Sequence, residues 1–468
     1  MLGEPLKRFS SSTPARLRLA RALIIGLLGV LGLLLLTSGL AVSGTWDTVH
    51  HRAAPRTTSA AGLDLALNDM DAQAVNTLLS SGDAGRGRLP VPHRKAVELY
   101  DTARRTVSRE LRALAVAAEG DAAAERTVET LTENFARYQE LIGRSLENDG
   151  RAGGKTAARQ DYEAADELLV TTLLPAAKTL LDTNNKAFAR EYDAARSRLT
   201  AERAALLITG VLLLALLVLL QVHLARHFGR VFNPGLLAAT AAALVAVALG
   251  TLALGSGSQE LRVARRDAFD SVVALSRAKA LAYSANADES RYLLLPDRRP
   301  AYERLFLDKS QRLYGIKSAT LETYDEQLAA TWAAYRADHG DRRFTGEFRR
   351  ELDNITFVGE REAAERTVEA YAVYQRDDRT VRALLRQGKE REAVAFCVNW
   401  EPNTSNAHFG AWMKELDQVT DINRAHFAQA VRDGRGALTG LLPAAGVALV
   451  LAALLTVLGL RPRLAEYR

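Results

Sequence analysis

The stretch DGRAGGKT ends in Gly154-Lys155-Thr156, the residues with which a phosphate-binding loop cradles an anion through backbone N–H groups and a lysine. The spacing does not complete that motif, because Asp149 stands where the first glycine is required and no strand precedes the run. It reads instead as a turn between helices. The eight His show no HExxH pairing or other metal-ligand spacing, and the single Cys397 excludes an intrachain disulfide and a Cys-rich zinc site. Neither a catalytic site, a metal nor a cofactor is expected, and the chain is not read as an enzyme. Asn403-Thr404-Ser405 matches a glycosylation sequon but also suits a helix start with Thr404 or Ser405 as cap.

Recognition chemistry has more candidates. Arg291 and Tyr292 in ADESRYLLL could meet a carboxylate ligand, since a guanidinium forks onto carboxylates; the alternative is that Arg291 pairs with Asp288 at i, i+3 on a solvated face. In AFCVNWEPNTSNAHFGAW, Trp400, His408, Phe409 and Trp412 surround a polar break. That density of rings suits either a partner contact or the cap of a bundle core. Trp412, Leu416, Val419, Asn423, His426 and Ala430 recur at spacings of 4, 3, 4, 3 and 4, a helix seam with one Asn in it; Leu181, Asn185, Phe188, Tyr192 and Ala195 repeat it. Asn185 and Asn423 are thus read as a buried polar seam that fixes register, with a ligand site as the alternative. On the first reading, Leu at either position should raise thermal stability or alter the oligomer state.

The same segments echo one another. AAERTVE occurs at 123–129 and 363–369, each time followed by a Tyr-Gln pair, Tyr138-Gln139 and Tyr374-Gln375. Flanking landmarks recur in the same order, which predicts an internal duplication whose second half carries roughly 25 extra residues.

Four uncharged apolar runs, Leu23–Val42, Ala204–Leu224, Gly235–Leu254 and Ala437–Leu460, frame the two halves, each long enough at 1.5 Å per residue to cross a hydrocarbon core. Of 61 Lys and Arg, ten lie in 1–21, 225–233 and 461–468, against two of the 55 Asp and Glu. Segments 44–203 and 255–436 carry −2 and 0. Positive flanks face the cytoplasm. The expected layout is a cytoplasmic basic arm 1–21, spans 22–43 and 204–224 around an extracellular region 44–203, a cytoplasmic loop 225–233, spans 234–254 and 437–460 around an extracellular region 255–436, and a cytoplasmic tail 461–468, in a multi-pass protein of the plasma membrane. The net charge of +6 is explained by topology and attraction to anionic membrane lipid, so nucleic acid is not expected as a partner. In the basic arm, Ser10, Ser11, Ser12 and Thr13 beside Lys7, Arg8, Arg16 and Arg18 form a candidate regulatory segment.

The two large regions are rich in Ala, Leu, Glu and Arg and broken only by short Gly/Pro stretches, so the fold class is all-α: four transmembrane helices with two tandem up-down helical bundles. The arrangement resembles the four-helix-bundle sensor regions of chemoreceptors and sensor kinases, and such an architecture also allows a homodimer. No output domain follows the second or fourth span. With LLVTTLLPAAKTLLDTNN in the first half and LAYSANADESRYLLLP in the second, the chain resembles the GlnX-type four-span membrane proteins of actinobacteria. That resemblance implies signal transduction in nutrient sensing: a solute-binding lipoprotein outside reports glutamine/glutamate-type amino-acid supply, and a cytosolic Ser/Thr kinase inside receives it. It transfers no site residue. Readings from other classes are a membrane subunit of a transporter or exporter, which ionisable residues in the spans would favour, and an envelope scaffold; the spans offer only Gln221 and His223 near one edge.

Overall fold

The computed structural model describes residues 13–82, 88–228 and 233–465. It is all-α apart from one two-residue strand pair. The helices are α1 (Thr13–Thr48), α2 (Ala54–Ser81), α3 (Pro90–Ala118), α4 (Ala122–Asp149), α5 (Lys155–Leu168), α6 (Leu174–Phe228), α7 (Pro234–Arg262), α8 (Asp270–Leu294), α9 (Arg299–Leu313), α10 (Tyr324–Ala337), α11 (Glu347–Asp353), α12 (Glu360–Arg386), α13 (Glu390–Val398) and α14 (Ser405–Ala465). π-helical turns at Val49–Ala53, Leu169–Leu173 and Val263–Phe269 interrupt the long helices without ending them.

Two compact units emerge. The span unit comprises Met1–His51, Ala189–Arg265 and Ala428–Arg468, and the polar unit comprises Arg52–Phe188 and Arg266–Phe427. Among the described residues, four helices are long and apolar enough to cross a membrane, as the four uncharged runs require. Within the span unit, Leu33, Leu36, Leu40, Leu219 and Leu458 point outward, while Leu28, Leu35, Leu206 and Leu213 face the neighbours together with small residues such as Ala239, Ala243, Ala246, Ala445 and Ala452. A Cβ on Gly210 would stand 2.6 Å from Val247 Cγ2, and one on Gly250 2.7 Å from Leu35 Cδ2. Close approach at small residues is how helices gain packing where burial from water contributes nothing. Two polar side chains at this level are satisfied internally: Gln221 Nε2 donates to Thr240 Oγ1 at 2.7 Å, and Asn233 caps α7 while its Nδ2 donates to Gly459 O at 2.8 Å.

Both large regions belong to the one polar unit, within which the second has an aromatic-rich core of its own. What joins them lies in α2 and α8. Helices α3 and α4 are amphipathic, burying Ala96, Ala103, Val107, Leu111 and Leu114, and Val128, Leu131, Phe135, Tyr138 and Ile142, at helical spacing. By contrast, residues 70–80 of α2 and 285–294 of α8 are buried on every side, because these two helices pack on each other as well as on their own region. A helix enclosed all round needs partners beyond one bundle.

Local signals position the rest. Asp121 Oδ1 accepts from Ala123 N and Ala124 N at the start of α4, and Glu125 reaches back to Gly120 N at 2.9 Å, a reciprocal cap. The glycine-rich stretch before Thr156 is a turn between α4 and α5, and a Cβ on Gly154 would meet Asn148 O at 2.1 Å. Lys155 holds Asp149 Oδ1 at 2.6 Å and Ser81 Oγ at 3.0 Å. In the second region, α10, α11 and the antiparallel pair of β1 (Gly315–Ile316) with β2 (Phe344–Thr345) have no equivalent in the first. Stacked Tyr314 and Phe344, with ring centroids 4.1 Å apart, anchor that addition to the core.

Candidate functional site

The polar unit contains a cavity of about 1210 Å³. One wall is the continuous helix from Gln160 to Asp182, which includes the π-helical turn Leu169–Leu173; the other is α9, and α8 and α2 close the floor. π-helical turns inside α-helices recur at functional sites because the inserted residue redirects side chains.

Arg291 lies beneath this cavity, buried and multiply bound. Its Nη1 donates to Asp288 Oδ1 at 2.7 Å, its Nε to Tyr162 Oη at 2.9 Å, and its Nη2 meets Asp166 Oδ1 at 2.7 Å and Asp71 Oδ2. Tyr138 donates to Asp71 Oδ1 at 3.1 Å, and Lys309 bridges Ser284 O, at 3.2 Å, and Asp288 Oδ2. The pairing of Arg291 with Asp288 matches the sequence reading, but the face is buried rather than solvated. The reason is that Asp71, Tyr138, Tyr162 and Asp166 come from the first region to enclose it.

Three carboxylates face two cations here, an imbalance that burial makes costly. Burial pushes the Asp71 carboxyl up to about 6, with Arg291 opposing and Asp166 and Asp288 adding to the shift. The same carboxylates hold the Arg291 guanidinium well above its usual value, and burial pulls Lys309 down. The cluster is a satisfied structural network that consumes its only guanidinium.

The cavity rim differs. Glu163 and Glu167 stand on one wall near the Asp166 end, and Lys178 and Arg312 stand at the other end; none of these four side chains makes a hydrogen bond or ion pair among the described residues. Arg277 there is paired with Asp182 at 2.6 Å. Asp64, between them, is pushed up to about 6 by burial, with Lys178, Arg277 and Arg312 opposing. Val170 and Leu305, 51% and 44% exposed, line the middle.

The other sequence candidates lie apart from this cavity. Tyr292 points away from Arg291, its ring lying between Arg382, 4.4 Å from the centroid, and Arg299 at 5.5 Å. Trp412 is fully buried against Tyr371 and Tyr374 at 4.9 and 5.5 Å, so it forms core. Trp400 packs over Gly410, and His408 Nδ1 lies 2.7 Å from Asp377 Oδ2. The Asn403–Ser405 turn does open α14, with Thr404 O accepting from His408 N; the Thr404 hydroxyl donates back to Asn399 O and Glu401 O. Asn423 is fully buried and donates to Glu360 Oε1 at 2.7 Å and Val419 O at 3.1 Å, whereas Asn185 is half-buried. Ser10, Ser11 and Ser12 lie outside the described residues, and Thr13 opens α1.

Sequence reasoning missed Asp71, Asp166, Tyr162 and Lys309. A signal was present: LDLALNDMDAQAV places three aspartates in a helix otherwise made for a core, and a carboxylate there needs a buried partner.

No match to the chain was found among curated proteins or solved structures. Residues 45–193 match the family model described as the actinobacterial sensor domain. The matched segment runs from the end of α1 into α6 and so includes Asp71, Tyr162, Asp166 and the whole Gln160–Asp182 wall. On that similarity, and with four membrane-crossing helices, a sensor role for this membrane-spanning chain is supported.

Proposed function

We propose that the chain is a sensor and adaptor of the plasma membrane that relays an extracellular amino-acid signal, of glutamine or glutamate type and carried by a solute-binding lipoprotein, to a cytosolic Ser/Thr kinase. The observation that carries this is the cavity of the polar unit, one wall of which falls inside the sensor-domain match while the Glu163, Glu167, Lys178 and Arg312 side chains on its rim are unpaired. Binding and transmission, not catalysis, are its work.

The orientation follows from charge: the positive excess of 1–21, 225–233 and 461–468 puts both termini inside and regions 44–203 and 255–436 outside. The two halves descend from a duplication, a reading supported by Tyr138 and Tyr374, the Tyr of each Tyr-Gln pair. Each donates to a buried carboxylate of a central helix, Asp71 at 3.1 Å and Glu289 at 3.0 Å. Isolating the protein from its host in mild detergent with its bound neighbours tests the relay. A kinase and a solute-binding protein should co-purify in proportion to the bait, whereas an ATPase in their place would point to an exporter.

A further inference from the structure

The arrangement of unpaired charge around the cavity has a direction. Glu163 and Glu167 lie on successive turns of one wall and make that end acidic, with the neutral amide of Gln160 beside them, while Lys178 and Arg312 make the far end basic. Between them the lining is apolar, with Val170, Leu174, Leu281 and Leu305. Eleven residues separate Glu167 from Lys178 on a continuous helix, about 16 Å at 1.5 Å per residue.

A free amino acid carries its ammonium and carboxylate on one carbon and reaches one end only. An extended peptide advances about 3.3–3.6 Å per residue, so one of about five residues places its two terminal charges across this span. The volume agrees, because about 1210 Å³ exceeds what a single amino acid fills and lies at the upper limit of small-ligand sites. We infer that the groove binds a short peptide with free ends, its ammonium group held by Glu163 and Glu167, its carboxylate by Lys178 and Arg312, and its side chains lying on the apolar middle.

The floor is already closed to such a ligand. Arg291 and Lys309 are engaged by Asp71, Asp166 and Asp288, so the floor offers the peptide carboxylate no cation, and the unpaired cations of the rim, Lys178 and Arg312, stand at the basic end. Arg298 stacks beside Tyr302 at the acidic end, 5.8 Å from the ring centroid, and leaves the peptide ammonium to the glutamates. This inference goes beyond the relay, since it gives the chain a ligand of its own; binding is read on purified protein and the relay in cells, so either can fail alone.

The test is calorimetric titration of the full-length protein in lipid nanodiscs. The probe is the pentapeptide Ala-Leu-Ala-Leu-Ala with free ends, compared with its N-acetylated and C-amidated forms, the dipeptide Ala-Leu, L-glutamine and L-glutamate. The free pentapeptide should bind, and blocking either end should weaken it by about five- to tenfold, the size of a partly exposed charge pair. The dipeptide and both amino acids should bind more weakly than the pentapeptide. In Lys178→Ala/Arg312→Ala, amidation should no longer matter while acetylation still does, and Glu163→Gln/Glu167→Gln should show the reverse. Each variant's melting curve should match the parent, since all four side chains are unpaired at the rim. Equal binding of the doubly blocked peptide, equal or tighter binding of L-glutamine or L-glutamate, or no heat from the pentapeptide at millimolar concentration would overturn the inference.

Discussion

The floor and the rim of the same cavity use charge in opposite ways. Arg291 is buried among three aspartates and a tyrosine, and every one of its nitrogens is engaged. Lys178 and Arg312, on the same cavity, touch no carboxylate closely enough to pair. Desolvation decides the difference: a charge out of water must be neutralised in place, while a charge still in contact with water can wait for a ligand. The floor therefore joins the two regions into one unit, and the rim is available to recognise something else. Burial separates the engaged Arg291 from the exposed, unpaired Arg312 here, and residue type does not.

If that contrast holds, Arg291→Met should be the most damaging change. It leaves Asp71, Asp166 and Asp288 facing one lysine, and loss of one partner from a buried ion cluster costs about 3–5 kcal/mol. Thermal unfolding followed by circular dichroism should show a melting temperature lower by about 10 °C or more, or no folded protein. An unchanged melt would remove the distinction between floor and rim.

Acidity offers a second probe of buried charge. Burial and the neighbouring Glu360 push Glu351 up to about 8. The folded state then keeps a proton that the unfolded chain has already released, so this contribution to stability is greatest below the ordinary carboxylate range and is lost as pH rises toward 8. The melting temperature should fall by roughly 5 °C between pH 6 and pH 8. Glu351→Gln, which cannot ionise, should flatten that slope; a slope unaltered by the substitution would assign the effect elsewhere.

Asn423 and Asn185 sharpen the comparison at lower amplitude. The seam expectation was that Leu at either site raises stability or alters the oligomer state. Asn423, however, donates to Glu360 Oε1, whose other oxygen accepts from Thr356 N and Phe357 N. Removing the amide strands a buried carboxylate oxygen, so Asn423→Leu should cost about 1–3 kcal/mol, while the half-buried Asn185→Leu should cost less. Equal effects at the two sites would show that the seams are equivalent after all. The smallest effect belongs to the rim: Lys178→Ala and Arg312→Ala should each move stability by no more than about 0.5 kcal/mol.

Much of the architecture was readable because it is periodic. The uncharged runs gave four membrane-crossing helices, and the 4, 3, 4 spacing from Trp412 to Ala430 placed Trp412, Leu416, Val419 and Asn423 inside. Periodicity also gave the Arg291–Asp288 pair, one helical turn apart. It did not give the joining of the two regions, because Asp71 and Tyr162 reach Arg291 across sequence separations of 220 and 129 residues. Nor did it separate Asn185 from Asn423, since both occupy the same seam position, yet Asn423 is fully buried against the Glu360 carboxylate and Asn185 is half-buried. The cavity was invisible for the same reason: its acidic end and Lys178 lie on one helix, but Arg312 and much of its apolar middle come from α8 and α9.

The central claim is that the rim receives the signal while the floor holds the fold. It is tested most directly in living cells by comparing Lys178→Ala/Arg312→Ala with the parent for kinase-dependent substrate phosphorylation as amino acids or short peptides are supplied. The double variant should be present in the membrane at parental level, melt at the parental temperature and lose most of the response. A full response from that variant would contradict the assignment of the rim as the input site.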